Sequence, residues 1–150
     1  MQAVCVLIPT MRRPESLARA LRSVFAQDGL NGRLVSVVVV DNDPAGTARA
    51  TVDALRPECP FPLAYRHEPR PGVATARNAG LVETGAPLIA FLDDDEAASH
   101  GWLAALLRAQ EATGADAVFG PIVGRIPDES GWAAAYLQRF FGREGPVSTG

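Results

Sequence analysis

The chain has 150 residues, 47% of them hydrophobic, and a formal net charge of −3 at pH 7. This length and composition suffice for one domain with a hydrophobic core, and the acidic balance disfavours a nucleic-acid backbone as the main partner. All 14 basic residues are arginines, so the chain lacks the lysine that a P-loop or a Schiff-base mechanism requires.

The first half of the chain alternates apolar runs with amphipathic segments. Residues 4–8 predict a first strand, and Pro14 begins a helix whose apolar residues recur three and four positions apart. Residues 35–40 predict a second buried strand, which ends in Asp-Asn-Asp-Pro. A helix over about 46–55 and a more polar third strand over 62–67, nearer a sheet edge, follow.

The second half continues the alternation. Residues 72–84 predict a helix of small residues, with an inward stripe formed by Val73, Ala76, Gly80 and Leu81. The apolar run 87–92 predicts a fourth strand buried on both faces, and 117–126 a fifth. Helices are expected over about 102–114 and around an aromatic stripe that comprises Trp132, Tyr136, Phe140 and Phe141. The pattern predicts one α/β domain over 1–150, a three-layer α/β/α sandwich with a mostly parallel sheet.

Four consecutive acids, 93–96, follow the fourth apolar run. Ligands of open α/β sheets bind outside the carboxyl ends of the strands, which is where these acids should lie. Adjacent carboxylates repel one another unless a cation lies among them, and Mg²⁺ or Mn²⁺ is commonly held by carboxylate and phosphate oxygens. The acids therefore predict a metal–phosphate site, with a solvated acidic loop as the alternative.

Other polar groups are expected at the same edge of the sheet. Asp41, at the end of the second strand, suits a contact with a base or ribose, although it or Asn42 could instead form an Asx-turn. Asp43 precedes Pro44 and is the expected N-cap of the next helix. Arg77 lies on the inward stripe of its helix, where it would contact either a phosphate or one of the strand-four acids.

The order of these motifs is more specific than any one of them. The segments are Val-Cys-Val-Leu-Ile-Pro-Thr-Met-Arg-Arg-Pro, Val-Val-Val-Val-Asp-Asn-Asp, Arg-Pro-Gly followed by Ala-Arg-Asn-Ala-Gly, and Phe-Leu-Asp-Asp-Asp-Glu. In this order they resemble the nucleotide-diphospho-sugar glycosyltransferases of family 2, which have the GT-A fold. The resemblance covers residues 4 to about 141 and is most specific over 70–96.

The resemblance implies a set of donor-binding residues: Pro9, Thr10, Arg12 and Asp41 around the nucleoside, Arg77 near the diphosphate, and Asp93 or Asp94 near the ribose. It also implies that Asp93 and Asp95, which match the Asp-x-Asp motif of the family, hold Mg²⁺ or Mn²⁺, with Asp95 as the direct ligand. The metal would neutralise the charge that grows on the departing diphosphate.

The implied reaction moves a sugar from a UDP- or GDP-linked donor to an acceptor hydroxyl, with inversion as the family expectation and cell-surface polysaccharide synthesis as the setting. Family members carry a second half that binds the acceptor and supplies the general base. We therefore expect the chain to be a donor-binding half, incomplete at its C-terminal side, with its base beyond Gly150; Asp128 and Glu129 are the residual candidates before it. A nucleotidyltransferase of similar fold and a catalytically silent nucleotide-binding module are the alternatives.

Location and association are predicted from simpler features. Cys5 and Cys59 have neither metal-ligand spacing nor the density of a disulfide scaffold, and they suit a reducing cytoplasm. No apolar run is long enough to cross a bilayer, and Pro9 and Arg12 interrupt the first one, so no signal peptide is expected. The segment is predicted to be cytoplasmic, with membrane association of the intact protein left open, and the aromatic stripe of the last helix predicts self-association.

Overall fold

The computed structural model describes residues 2–124, 131 and 134–142. They belong to two compact units, Met1–Ala104 and Ala105–Gly150. The elements in chain order are β1 (Val4–Thr10), α1 (Pro14–Phe25), β2 (Val35–Asp41), α2 (Arg49–Leu55), β3 (Leu63–His67), α3 (Val73–Glu83), β4 (Leu88–Phe91), α4 (Trp102–Thr113) and α5 (Ala134–Phe141). A short 3₁₀ helix, Arg56–Glu58, follows α2 and contains Pro57.

The first unit contains a sheet of four parallel strands in the order β3-β2-β1-β4. The chain builds outward from β1 to β2 and β3, and then returns to the other side of β1 to form β4. The connections thus diverge at the carboxyl ends of β1 and β4, and a topological switch point of this kind is where open α/β sheets bind ligands. The predicted α/β class with a parallel sheet is confirmed.

Helices cover both faces of the sheet, which explains why β1 and β2 are apolar along nearly their whole length. Right-handed crossovers put α1 and α2 on one face and α3, whose crossover runs in the opposite direction, on the other. Residues from alternate positions of β1 and β2 form a core with α3: Cys5, Leu7, Val38, Val40 and Ala76. The result is the predicted three-layer arrangement.

Small residues let α3 lie close to the sheet. A Cβ added to Gly80 would lie 2.4 Å from Leu7 Cδ1 and 2.9 Å from Val40 Cγ2. Ala76 and Gly80 are buried as predicted, but Val73 and Leu81 are exposed, so their assignment to the inward stripe is wrong. The buried surface of α3 is narrower than the predicted stripe because only its smallest residues meet the sheet.

Two strand predictions fail. β4 is an edge strand among the described residues, with Ala90 buried but Phe91 exposed, so it is not buried on both faces. Residues 117–124 contain only an isolated bridge at Ile122, and Phe119 is 75% exposed; residues 125–126 lie outside the described part. Strand propensity reflects packing on a sheet, and this run has no described sheet neighbour along most of its length.

The predicted last helix is present as α5, although Trp132 lies outside the described residues. The rings of Tyr136 and Phe140 stack with centroids 6.2 Å apart, and both side chains are exposed. Self-association through this helix stays a prediction. Among the helices that the structure describes, none has the length and apolar character that crossing a membrane requires.

Candidate functional site

Residues far apart in sequence meet at the carboxyl edge of the sheet. The backbone N–H of Asn42 donates to Thr10 O (2.8 Å), and the N–H of Leu92 donates to Leu7 O (3.2 Å), so the ends of β1, β2 and β4 lie side by side. The acids after β4 therefore lie beside Thr10, as their position after a parallel strand predicts.

Asp94 is the buried member of the acidic run, with 7% of its surface exposed. Its Oδ2 accepts a hydrogen bond from Thr10 Oγ1 (2.7 Å), and its Oδ1 lies 3.3 Å from Arg13 Nη1. Thr10 is also buried, so this bond joins the ends of β1 and β4 in a site with little solvent. The side chain of Asp94 is held in one orientation at the switch point.

Arg13 connects two of the acids. Its Nη1 donates to Asp95 Oδ2 (2.9 Å) as well as to Asp94, and the two negative charges, that of Asp94 first, raise the pKa of Arg13 above its usual value. Arg12 is the predicted ligand residue, and no motif in the sequence shows that its neighbour Arg13 is the one that contacts these acids. The one local signal is its position directly before Pro14, the first residue of α1, which places it at the carboxyl edge of the sheet.

Arg77 reaches the same acids from α3. Its Nη2 donates to Asp93 Oδ1 (3.1 Å), its guanidinium carbon lies 5.4 Å from the centroid of the Phe91 ring, and its buried Nε has no hydrogen-bond partner. The ligand-free structure thus contains the ion pair that was the alternative to a phosphate contact. The phosphate role of Arg77 stays a prediction.

Glu96 supports the turn of the acidic run. Its Oε2 accepts a hydrogen bond from the backbone N–H of Asp93 (3.3 Å). Burial raises the pKa of Glu96, and the charges of Asp93 and Asp95 raise it further. The charge of Glu96 therefore adds to the electrostatic repulsion among these acids.

Asp41 is fully buried, and both of its carboxylate oxygens accept hydrogen bonds. Oδ1 accepts from the N–H of Asp43 (3.0 Å), while Oδ2 accepts from the N–H of Ala48 (2.7 Å) and from Tyr65 Oη (2.9 Å). Burial, followed by the bond to Asp41, raises the pKa of Tyr65 to about 12. The Asx-turn, the alternative interpretation of this position, is present, and direct contact of Asp41 with a nucleoside stays a prediction.

Asp43 organises the loop that follows β2. It accepts hydrogen bonds from Thr47 Oγ1 (2.7 Å), Arg12 Nε (3.1 Å) and the N–H of Ala45 (3.3 Å). The bond from Thr47 is the main cause that lowers the pKa of Asp43. The N-cap prediction for Asp43 is wrong, because these bonds hold 43–47 in a turn and α2 begins only at Arg49.

Arg12 adopts a strained backbone conformation at the end of β1. Its φ is +56°, a left-handed value that is uncommon outside glycine. The side chain is exposed apart from its bond to Asp43, and Pro9 is half-buried within β1. Of the four residues that are predicted to contact the nucleoside, Arg12 therefore has the most exposed side chain.

Asn42 ties β2 to the loop that precedes α3. Its Nδ2 donates to Glu68 O (2.8 Å) and Arg70 O (2.7 Å), and its Oδ1 accepts from the N–H of Gly72 (2.8 Å). Glu68 is buried and accepts from the Nε, Nη2 and N–H of Arg70, which lower the pKa of Glu68 to about 2. Asn42 thus positions the start of the helix that carries Arg77.

The acids fit a divalent cation that is shared with phosphate. Asp93 and Asp95 are 51% and 58% exposed at the side chain, and each gives one carboxylate oxygen to an arginine, so the other oxygen remains for a cation. Mg²⁺ sites of this kind need only one or two carboxylates beside phosphate and water. No group of three or more His, Cys, Asp or Glu side chains suited to a metal occurs among the described residues, and the candidate bases Asp128 and Glu129 lie outside them.

Comparison with known proteins identifies relatives of the whole region. A family model described as "Glycosyl transferase family 2" matches residues 5–149. The chain is 46% identical over 113 residues to the succinoglycan biosynthesis protein ExoM of Rhizobium meliloti (strain 1021), which covers 75% of the chain and 36% of that protein. It is 28% identical over 139 residues to the glycosyltransferase AglE of Haloferax volcanii, which covers 89% of the chain and 43% of that protein.

Solved structures share the fold. Staphylococcus aureus TarS 1-349 in complex with UDP matches with a TM-score of 0.66 at 20% identity, over 84% of this chain and 38% of that one. The mannosyltransferase PcManGT from Pyrobaculum calidifontis, in complex with GDP-Man and Mn²⁺, matches with a TM-score of 0.62 at 22% identity, over 84% and 36%. The chain thus spans less than half the length of each of these four proteins.

Proposed function

Since the chain belongs to glycosyl transferase family 2, we propose that it binds the nucleotide-sugar donor for transfer of the sugar to an acceptor hydroxyl. The observation that carries the proposal is the meeting of Thr10, Arg13 and Arg77 with the acids 93–95 at the switch point between β1 and β4. This edge combines cationic groups for a diphosphate with carboxylates for a cation. Two structural neighbours were solved with UDP and with GDP-Man, which supports a UDP- or GDP-linked donor.

Different residues of the chain would contact different parts of the donor. Pro9, Thr10, Arg12 and Asp41 would surround the nucleoside, Asp93 or Asp94 the ribose, and Arg77 the diphosphate. Thr10 and Asp94 are joined by a buried hydrogen bond, so contacts at the ends of β1 and β4 would be positioned before the donor arrives.

Arg77 is suited to the diphosphate because its present contacts leave it under-satisfied. It has one ion pair, which is about half exposed, and a buried Nε without a hydrogen-bond partner. A guanidinium can make two parallel hydrogen bonds to a phosphate, which are stronger than bonds between neutral groups. Donor binding would therefore supply the partner that this side chain lacks.

Asp93 and Asp95 would hold Mg²⁺ or Mn²⁺, with Asp95 as the direct ligand. The bound cation would stabilise the negative charge that develops on the leaving diphosphate. Thr10 holds Asp94 by a hydrogen bond, and Arg77 would approach the diphosphate from α3. The mannosyltransferase neighbour solved with Mn²⁺ supports this assignment.

The pathway and the cellular location of the reaction are inferred from a relative and from the two cysteines. The relative named for succinoglycan biosynthesis supports a role in polysaccharide synthesis. Cys5 and Cys59 are both free thiols, which is consistent with a reducing cytoplasm. The match to a glycosyl transferase family model favours sugar transfer over the nucleotidyltransferase alternative.

Titration calorimetry with UDP and GDP tests the proposal. We expect one of them to bind in Mn²⁺ and to bind much more weakly after chelation. Asp95→Asn should remove the effect of the metal. Asp53→Asn should not, because Asp53 is an exposed acid of α2 that pairs with Arg56. Equal binding with and without metal would refute the cation site, and no binding of either nucleotide would refute the donor site.

A further inference from the structure

Arg13 lies between two acids of the run that follows β4. A single nitrogen, Nη1, lies 2.9 Å from Asp95 Oδ2 and 3.3 Å from Asp94 Oδ1. One of these acids is buried and fixed by Thr10, while the other is exposed and is the proposed direct metal ligand. The guanidinium therefore offsets part of the negative charge of these two acids.

This ion pair contributes little to folding. The side chains of Arg13 and Asp95 are 54% and 58% exposed, and water and salt screen exposed pairs of this kind. Like the pair of Arg77 with Asp93, it lies at an acid that is proposed to hold the cation.

We propose that Arg13 competes with the divalent cation for Asp95 and transfers to the diphosphate when the cation binds. The inference rests on the proposed function. Two positive charges on one carboxylate repel each other, so a cation at Asp95 weakens the hold of that carboxylate on the guanidinium. Arg13 is long and half exposed, and a phosphate offers it an anion with matching geometry.

The consequence is coupling between cation and diphosphate. Without a diphosphate, a cation at the other oxygen of Asp95 weakens the pair of Arg13 with Asp95, and Arg13 keeps only its longer contact with Asp94. With a diphosphate present, the guanidinium gains a phosphate partner, so cation binding costs less. Linkage makes the effect reciprocal, and each ligand raises the affinity for the other.

The test measures Mn²⁺ affinity without nucleotide, and then with saturating UDP or GDP. In Arg13→Gln we expect Mn²⁺ alone to bind roughly tenfold more tightly than in the wild type, and the enhancement by nucleotide to fall by a similar factor. Arg13→Lys keeps one positive charge and should bind Mn²⁺ alone nearly as weakly as the wild type.

The control is Arg22→Gln on the same helix. Arg22 is 57% exposed and pairs with Glu58, so it matches Arg13 in exposure but lies away from the acids. This variant should leave Mn²⁺ affinity unchanged. Arg13→Met, which keeps most of the aliphatic stem, repeats the measurement should the glutamine variant fold poorly.

The outcomes separate this inference from the proposed function. Unchanged Mn²⁺ affinity in Arg13→Gln, or equal gains in Arg13→Gln and Arg13→Lys, would overturn the competition. Mn²⁺ binding that is absent from every variant, with and without nucleotide, would refute the cation site itself and this inference with it.

Discussion

Replacing Asn42 by alanine tests how the fold positions the site. The amide makes three hydrogen bonds, of 2.8 Å to Glu68 O, 2.7 Å to Arg70 O and 2.8 Å from the N–H of Gly72, of which the first is buried and the other two are partly buried. Asn42→Ala removes all three and leaves polar backbone groups of the loop before α3 without their partners. That loop leads directly into the helix that carries Arg77.

The expected loss follows from the bond count. A net contribution of about 0.5–1.5 kcal/mol for each of the three hydrogen bonds predicts a decrease of roughly 1.5–4.5 kcal/mol in the free energy of unfolding. If the loop shifts, Arg77 loses its alignment with the diphosphate, and a charged hydrogen bond is worth about 1.5–3 kcal/mol. UDP or GDP affinity should therefore fall roughly tenfold or more, measured under conditions where the variant is folded.

Gln27→Ala is the matched control. Gln27 is also a buried amide with three hydrogen bonds, to Ser23 O (3.1 Å), to Ser99 O (2.6 Å) and from the N–H of Leu103 (2.8 Å), but it lies beyond the far end of α1. Urea denaturation should give similar losses for both variants, while calorimetry should show weaker nucleotide binding for Asn42→Ala alone. A loss below about 0.5 kcal/mol in Asn42→Ala, or equal binding losses in the two variants, would refute the reasoning.

Two further predictions concern stability. Gly80→Ala should destabilise the fold by about 1–3 kcal/mol in urea denaturation, because its Cβ would overlap Leu7, whereas Gly85→Ala, with open space around it, should change it by less than about 0.5 kcal/mol; similar values for the two would contradict the close packing of α3. The bonds from Arg70 lower the pKa of Glu68 from 4.5 to about 2, so the charged carboxylate stabilises the fold above about pH 4.5, and this contribution is lost as pH falls toward 2. Glu68→Gln should flatten the decline of stability between these values, and an unchanged pH profile would contradict it.

The apolar runs were sufficient to predict β1, β2 and β3, and the spacing of apolar residues was sufficient to predict α1, because a short apolar run marks a buried strand and a repeat of three and four positions marks an amphipathic helix. The buried residues of α1, for example, are among those with the predicted spacing. The same reasoning failed for 117–124, where Phe119 and Val123 resemble strand residues but are exposed. Local pattern states which residues prefer burial, and it does not state whether a neighbouring strand exists to bury them.

The position of the site was also readable from local pattern. Acids directly after an apolar strand must lie at its carboxyl end, and parallel strands bring such ends to one edge. The side-chain partners were not readable. The sequence left open whether Asp41 contacts a nucleoside or forms an Asx-turn, and nucleoside contact stays a prediction. Its buried oxygens also accept hydrogen bonds from the N–H of Ala48 and from Tyr65 Oη, which no local pattern shows.

Local sequence patterns thus predict most of the helices and strands of the first unit and the edge of the sheet at which the acids lie. Both depend on residues within a few positions of one another. The tertiary structure decided the strand order, with β1 between β2 and β4, and the pairing of each acid. Arg13 meets Asp94 and Asp95 across 81 and 82 positions of sequence, and Thr10 meets Asp94 across 84. Contacts at such separations arise only when several packed elements bring the chain back on itself, and no local repeat encodes them.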